Sequence, residues 1–177
     1  ALSVWKHPDG EIALLGDSAL GIAPPPDALL AYGRALGLQP RGPEVPGLLA
    51  SAGFARLEAG PFSLVASFGP PSPAHQPGHA HCDALSFELV CAGERVVCDT
   101  GVHSYEPGPR RDHARATRSH ATLEIAGAEQ SEIWAAHRVG GRARTALVTF
   151  EPQTSLEATC ASWSTPDTLH RRRFSLA

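Results

Sequence analysis

Two histidines separated by one residue, His79 and His81, precede a strand-like apolar run. Alternate residues of an extended chain project to the same side and lie about 6 to 7 Å apart along the backbone. Two imidazoles in this arrangement could share a metal ion or a substrate. Since the chain contains nine histidines, an ordinary histidine-rich loop is the alternative interpretation.

Two further side chains that could bind a metal stand at the ends of strand-like runs. Asp99 closes the run RVVCD, and His120 directly precedes the run ATLEIA. If these strands are neighbours, this carboxylate and this imidazole could converge with the side chains of His79 and His81. Nitrogen and oxygen ligands of this kind suit zinc best.

Several other kinds of active site find no support in the sequence. It contains no G-x-S-x-G nucleophile motif, no phosphate-binding glycine loop and no H-E-x-x-H zinc motif. A glycosidase requires two carboxylates across a cleft. Asp83 and Glu88 flank the strand-like run, but Glu88 alternates with apolar neighbours and is therefore predicted to face solvent.

The composition indicates an ordinary globular protein and argues against two classes of partner. The 177 residues suit one domain, with 42% apolar and 19% charged residues. A net charge of −3 gives no overall attraction toward nucleic acid or an anionic membrane. The arginine-rich stretch offers only Tyr105 for base stacking. No apolar run reaches the roughly 18 residues of a membrane span, so none is predicted.

The two ends of the sequence suggest a piece of a longer polypeptide. It starts without methionine and stops within the strand-like pattern RRRFSLA. No charged-then-apolar segment resembling a signal peptide stands at its start. We therefore expect any localisation signal to lie upstream.

The four cysteines, at positions 82, 91, 98 and 160, include no C-x-x-C pair. A hairpin that turns at residues 92–93 would leave Cys91 and Cys98 out of register for a disulfide, because Cys91 would face Glu94. Free, partly buried thiols are therefore predicted.

Two different patterns divide the chain. Residues 1–53 are predicted to form a lead-in, with a turn and a short apolar strand in DGEIALLGDSALG, a helix in PPPDALLAYGRALGL and a linker in QPRGPEVPG. From residue 54 onward the apolar period is two, which is typical of strands. The runs are FARLEAG, FSLVASF, ALSFELVC, RVVCD, ATLEIAG, RARTALVTFE, SLEATCASW and LHRRRFSL.

The predicted fold class is mainly β: an antiparallel β-sandwich with a short helical N-terminal lead-in. Residues 107–120, PGPRRDHARATRSH, are predicted to be a long polar loop between two strands. Long loops on rigid sheets are where functional residues concentrate. The strands from Arg142 onward are predicted to carry no catalytic residue, with His170 on a solvated edge.

The segments PGHAHCDALSFEL and VVCDTGVHSYEPGPRRDHARATRSHATLEIAGAEQSEIW closely resemble the heparinase II/III-like family of polysaccharide lyases. The likeness runs from about Phe54 to beyond Trp134. Members of this bacterial family have an α/α-toroid followed by an antiparallel β-sandwich. The resemblance implies that residues 1–53 come from the end of the toroid. It also implies that residues 54–177 form the sandwich, truncated at its C-terminus.

The resemblance also implies an activity, a substrate class and partners. Such lyases cleave polysaccharides that contain uronic acid, such as heparan sulfate or alginate, by β-elimination. A base removes the C5 proton after the sugar carboxylate has been neutralised, and an acid protonates the departing oxygen. The implied partners are an acidic polysaccharide and the toroid of the same polypeptide, with a homodimer left open. The implied location is periplasmic or secreted.

Particular residues match the family's functional positions. His79 matches a histidine that faces the substrate carboxylate or assists proton transfer, and Tyr105 lies near a tyrosine that approaches the sugar. Arg115 matches a loop arginine that either binds the uronate or braces a neighbouring acid. The resemblance gives the zinc ligands as His81, Asp99 and His120. That zinc is structural and pins the strand ends, so that His79 is held in place.

The chain also departs from the family. His113 stands where members often carry an aromatic residue, and the principal tyrosine acid/base comes from the toroid, so the chemistry is half present. One alternative is a sandwich that binds acidic glycans or serves as structure without catalysis. A second alternative is a small metal hydrolase with an open zinc position.

Overall fold

The N-terminal lead-in consists of short helices and extended segments. The computed structural model describes residues 2–39 and 41–177. Helix α1 spans Leu2–Trp5 and helix α2 spans Pro26–Ala35. The predicted helix is confirmed in α2: proline is tolerated in a first helical turn, and Gly37, with a φ of 75°, follows its end. The predicted apolar strand is reduced to one bridge between Lys6 and Ile12.

Two antiparallel sheets and a small ribbon form the rest of the fold. The first sheet has the order β1-β2-β3-β4-β5 and consists of β1 (Leu48–Leu49), β2 (Phe54–Ala59), β3 (Phe62–Ser67), β4 (Phe87–Cys91) and β5 (Glu94–Val97). The ribbon pairs β6 (Ile133–Trp134) with β7 (Arg138–Val139). The second sheet has the order β10-β9-β8 and consists of β8 (Arg144–Glu151), β9 (Ser155–Ala161) and β10 (Leu169–Ser175).

The main core lies between the two sheets. Leu57 and Leu64 of the first sheet share it with Leu156 and Phe174 of the second. The rings of Phe87 and Phe174 are 5.2 Å apart across this core. The alternating runs place one face of each strand here, as the period of two requires. The predicted antiparallel β-sandwich is therefore confirmed.

The lead-in covers the opposite face of the first sheet. Ala13 and Leu15 pack on Val65, and the ring of Trp5 lies 4.5 Å from that of Phe54. Strand β3 is consequently buried on both faces along most of its length. A strand covered on both sides has no solvent-facing positions, whatever its sequence pattern suggests.

Glu88 illustrates this double burial, and the prediction that it faces solvent is wrong. It is fully buried. Its Oε2 accepts hydrogen bonds from His7 Nε2 at 2.7 Å and from Arg95 Nη1 at 3.2 Å, while Oε1 accepts one from the Asp99 backbone N–H at 2.8 Å. The lead-in, which supplies His7, covers the face that the alternation assigned to solvent.

Two predictions of local structure are also wrong. The polar stretch 107–120 contains helix α3, Pro109–Arg115, rather than a loop throughout. The run ATLEIAG forms no strand, only a bridge between Ile125 and Ala128, because Ala126 and Gly127 turn the chain with φ values of 51° and 75°.

The cysteines are free, as predicted. Cys82 and Cys160 are buried, and Cys98 is exposed. Burial raises the pKa of Cys82 to about 12 and that of Cys160 to about 11. Both buried thiols are therefore unreactive at neutral pH.

Strand β10 is an edge strand, as expected, but His170 on it is half-buried rather than solvated. Burial lowers the pKa of His170, and the nearby charge of Arg172 lowers it further. Across residues 2–39 and 41–177, no helix is long and apolar enough to cross a membrane.

Candidate functional site

A cleft of about 440 Å³ opens between the lead-in, the proline-rich segment 70–73 and the turn that precedes β4. His79 closes a single 3-10 turn, Pro77–His79, and His81 follows in extended backbone, so the two histidines do not begin a strand. Both nevertheless line the cleft, together with Asp17 of the lead-in. The side chain of His79 is 55% exposed, whereas that of His81 is fully buried.

Asp17 joins the two histidines. Its Oδ2 lies 2.9 Å from Nδ1 of His79, and its Oδ1 lies 2.6 Å from Nε2 of His81. Arg111 donates to both carboxylate oxygens, with Nη2 at 3.0 Å from Oδ2. Burial acts to raise the pKa of Asp17, but the hydrogen bonds from His81 and Arg111 outweigh it and hold the pKa well below its usual range.

The ionised state of Asp17 determines which nitrogen of each imidazole carries a hydrogen. A carboxylate can only accept hydrogen bonds, so His79 donates through Nδ1 and His81 donates through Nε2. In the neutral ring, the other nitrogen of each histidine then carries a lone pair. For His79 this is Nε2 on a half-exposed ring, which can exchange a proton with a molecule in the cleft.

Tyr105 lies beside His79. The two rings meet edge to face, with centroids 5.9 Å apart and planes at 85°. Arg111 lies over the tyrosine ring, 5.3 Å from its centroid, and His137 stacks on it at 6.1 Å. The structure thus brings together His79 and Tyr105, which the sequence singled out, and adds Arg111 and His137, which it did not.

Arg115 lies on the buried side of helix α3. It is fully buried. Its guanidinium donates to the backbone carbonyls of Ala80 at 3.0 Å, Ala135 at 2.6 Å and Arg138 at 3.0 Å. Arg115 thus braces the backbone around the cleft, and Arg111 is the arginine beside Tyr105. A role for Arg115 in binding a uronate or bracing an acid stays a prediction.

His81, Asp99 and His120, the residues considered as metal ligands, are neighbours. His120 Nδ1 is 2.8 Å from Asp99 Oδ2, and the rings of His81 and His120 have centroids 5.2 Å apart. Burial acts to lower the pKa of His120, but its hydrogen bond to Asp99 outweighs this effect and raises the pKa.

The group fits zinc in donor type and burial. Nδ1 of His81 and Nε2 of His120 are buried, and neither has a hydrogen-bond partner within the described chain. Such orphaned nitrogens beside a carboxylate are the donors that zinc prefers. In the side-chain conformations of the structure, His81 bonds to Asp17. In these conformations, no three His, Cys, Asp or Glu side chains of residues 2–39 and 41–177 lie close enough together to hold a metal.

The chain is similar to known proteins in its sequence family and in its fold. The family described as "Heparinase II/III-like, C-terminal" matches residues 41–177. No curated protein matches the sequence. The fold is similar to that of the heparinase III BT4657 gene product, with a TM-score of 0.67 and 17% identity, over 97% of this chain and 28% of that protein.

Two further solved structures are similar. A mutant of the heparan sulfate lyase HepC from Pedobacter heparinus gives a TM-score of 0.66 at 23% identity, over 97% of this chain and 28% of that one. A crystal structure of heparinase III gives 0.61 at 20% identity, over 96% of this chain and 29% of that one. The chain thus spans little more than a quarter of each solved relative. With the family match covering residues 41–177, the chain belongs to the heparinase II/III-like family and contains its C-terminal domain.

Proposed function

We propose that the chain is the C-terminal part of a polysaccharide lyase that cleaves uronic-acid polymers, such as heparan sulfate or alginate, by β-elimination. The observation that carries this proposal is the half-exposed His79, held by the buried Asp17 and set edge to face against Tyr105 at the cleft. Family membership supports the reaction class.

β-Elimination needs a group that neutralises the uronate carboxylate and groups that move protons at C5 and at the departing oxygen. Nε2 of His79 can take part in either task, because Nδ1 is occupied by its hydrogen bond to Asp17. The Tyr105 hydroxyl adds a second proton-transfer group, with a half-exposed ring. A domain of the same polypeptide N-terminal to this chain, a toroid, would supply the remaining acid/base.

The test compares two proteins on the same substrates. The polypeptide that naturally carries this chain should release unsaturated uronate, detected by its ultraviolet absorbance, from heparan sulfate or from alginate. The 177-residue chain alone should fold yet release none, because half of the proton-transfer machinery is missing. Elimination by the chain alone, or none by the longer protein, would refute the proposal. Glycan binding without elimination by the longer protein would favour a non-catalytic acidic-glycan-binding sandwich instead.

We also propose a structural zinc held by His81, Asp99 and His120. When bound, it would supply a positive charge that ties the Asp99 segment to the His81 turn. Protein purified without added metal should contain about one zinc per chain, falling sharply in His81→Ala, because an imidazole ligand is lost. The exposed His75, changed in His75→Ala, is the control and should leave the zinc content unchanged. A metal-free wild-type protein with unaltered thermal stability would contradict this prediction.

The proposed function also implies where the longer protein acts. A lyase that acts on extracellular glycans works in the periplasm or after secretion, so we place the longer protein there. The division into a lead-in of residues 1–53 and a sandwich of residues 54–177 stays a prediction. So does a homodimer.

A further inference from the structure

Helix α3 has two different arginine-bearing faces. Arg111 and Arg115, four residues apart, are both buried. Arg110 is exposed, and with His113 and Ala114, three and four residues further on, it lines a second cavity of about 340 Å³. This cavity shares no lining residue with the His79 cleft.

Arg110 contacts a histidine and no acid. Its Nη1 lies 2.8 Å from Nε2 of His103. A guanidinium can only donate, so His103 accepts this hydrogen bond. Arg56, Arg95 and Arg171 all pair with carboxylates. Within residues 2–39 and 41–177, no carboxylate lies within ion-pair distance of Arg110, and no acidic residue lines the cavity.

The floor of the cavity is fixed to the lead-in. The Val102 N–H donates to the carbonyl oxygen of Ser18 at 3.0 Å. Gly101 has a φ of 58°, and a Cβ at this position would lie 2.2 Å from the same oxygen. A side chain at this position would therefore push the floor away from Ser18. Since Ser18 follows Asp17, the cavity and the His79 cleft are anchored to adjacent residues.

We propose that this cavity binds a negatively charged substituent, sulfate or carboxylate, on a sugar neighbouring the one in the His79 cleft. The Arg110 guanidinium offers the paired donors that such oxyanions prefer, and the His113 ring adds an N–H donor. His103 holds the guanidinium at the mouth of the cavity. The inference rests on the proposed function only in taking the anion to be part of a glycan.

The 177-residue chain can be titrated with sodium sulfate and separately with sodium acetate, at constant ionic strength set with chloride. The NMR signals of the His103 ring report binding. A saturable shift is expected with at least one of the two anions, and Arg110→Gln should weaken the binding about tenfold, the loss of one charge-assisted hydrogen-bonded group. The control variant Arg144→Gln removes another exposed arginine, on β8, and should leave binding unchanged.

The two anions distinguish the substituents: saturation by sulfate supports a sulfated sugar, and saturation by acetate supports a uronate. Linear shifts with both anions, or equal affinities of wild type and Arg110→Gln, would overturn the site. Thermal unfolding of each variant confirms that its fold is intact. Elimination by the longer protein is a separate measurement. An active lyase whose C-terminal chain binds neither anion would reject the cavity alone, whereas anion binding without elimination would reject the proposed function alone.

Discussion

Replacing Asp17 with alanine should lower the free energy of unfolding of the chain by about 3 to 5 kcal/mol, the usual effect of stranding a buried charge. Arg111 is fully buried, and both of its contacts with a carboxylate go to Asp17. His81, also buried, would lose its partner as well. Urea unfolding of the purified chain measures the difference.

Asp27→Ala is the matched control, because it removes another lead-in carboxylate from a surface pair. Asp27 bonds to Lys6 at 2.8 Å and is 69% exposed, so its loss should cost less than about 1 kcal/mol. Asp17→Asn, which keeps the shape and one acceptor oxygen, should fall between the two. Equal destabilisation by Asp17→Ala and Asp27→Ala would show that Asp17 does not compensate the buried charge of Arg111.

Replacing His79 with alanine in the longer protein should lower turnover by about 10²- to 10⁴-fold, the range for a positioned acid–base group. The stability of the protein should change little, because the His79 side chain is more than half exposed. Zinc content should also be preserved, since His79 is not a proposed ligand. The initial rate of unsaturated uronate release, measured beside thermal unfolding, separates the two effects.

His170→Ala serves as the control for this prediction. His170 lies on β10 in the second sheet, outside the cleft, and its loss should leave turnover within about twofold. A fully active His79→Ala enzyme would show that His79 takes no part in the reaction. A loss of hundredfold or more in His170→Ala would move the active site to the second sheet.

The strands could be predicted where the local pattern and the surroundings agree. From Leu156 onward the residues of β9 alternate between buried and half-buried positions, and the buried Leu156, Ala158 and Cys160 face the shared core. Glu88 shows where this reasoning ends. The same alternation correctly places Glu88 on the face of the first sheet that points away from the shared core. The sequence does not reveal that the lead-in covers that face.

Helix α3 escaped prediction because its buried side is made mainly of arginines. Apolar periodicity detects a helix only when its inward face is apolar. Here Arg111 and Arg115 are buried, and carbonyl and carboxylate oxygens accept their hydrogen bonds. Pro109 at the start of the helix and Asp112 in its first turn were the local signals of a helix start.

Asp17 could not be found from spacing. It lies 62 residues before His79 and 94 before Arg111 along the chain. The contact exists only because the lead-in folds back over the first sheet. By contrast, His79 and Tyr105 carried a recognisable motif, and the structure places their rings side by side.

The buried carboxylate of Glu88 limits how parts of this chain can be exchanged between relatives. His7 of the lead-in, Arg95 beside β4 and the Asp99 backbone all bond to it. A recombinant that joined the lead-in of one family member to the sheets of another would take positions 7 and 88 from different parents. Glu88 would then lose one of its buried partners wherever the new lead-in lacks a histidine at position 7. Because Asp17 must also stay with Arg111, a viable crossover point therefore lies before His7 or after helix α3, and not at the linker between the lead-in and the first sheet.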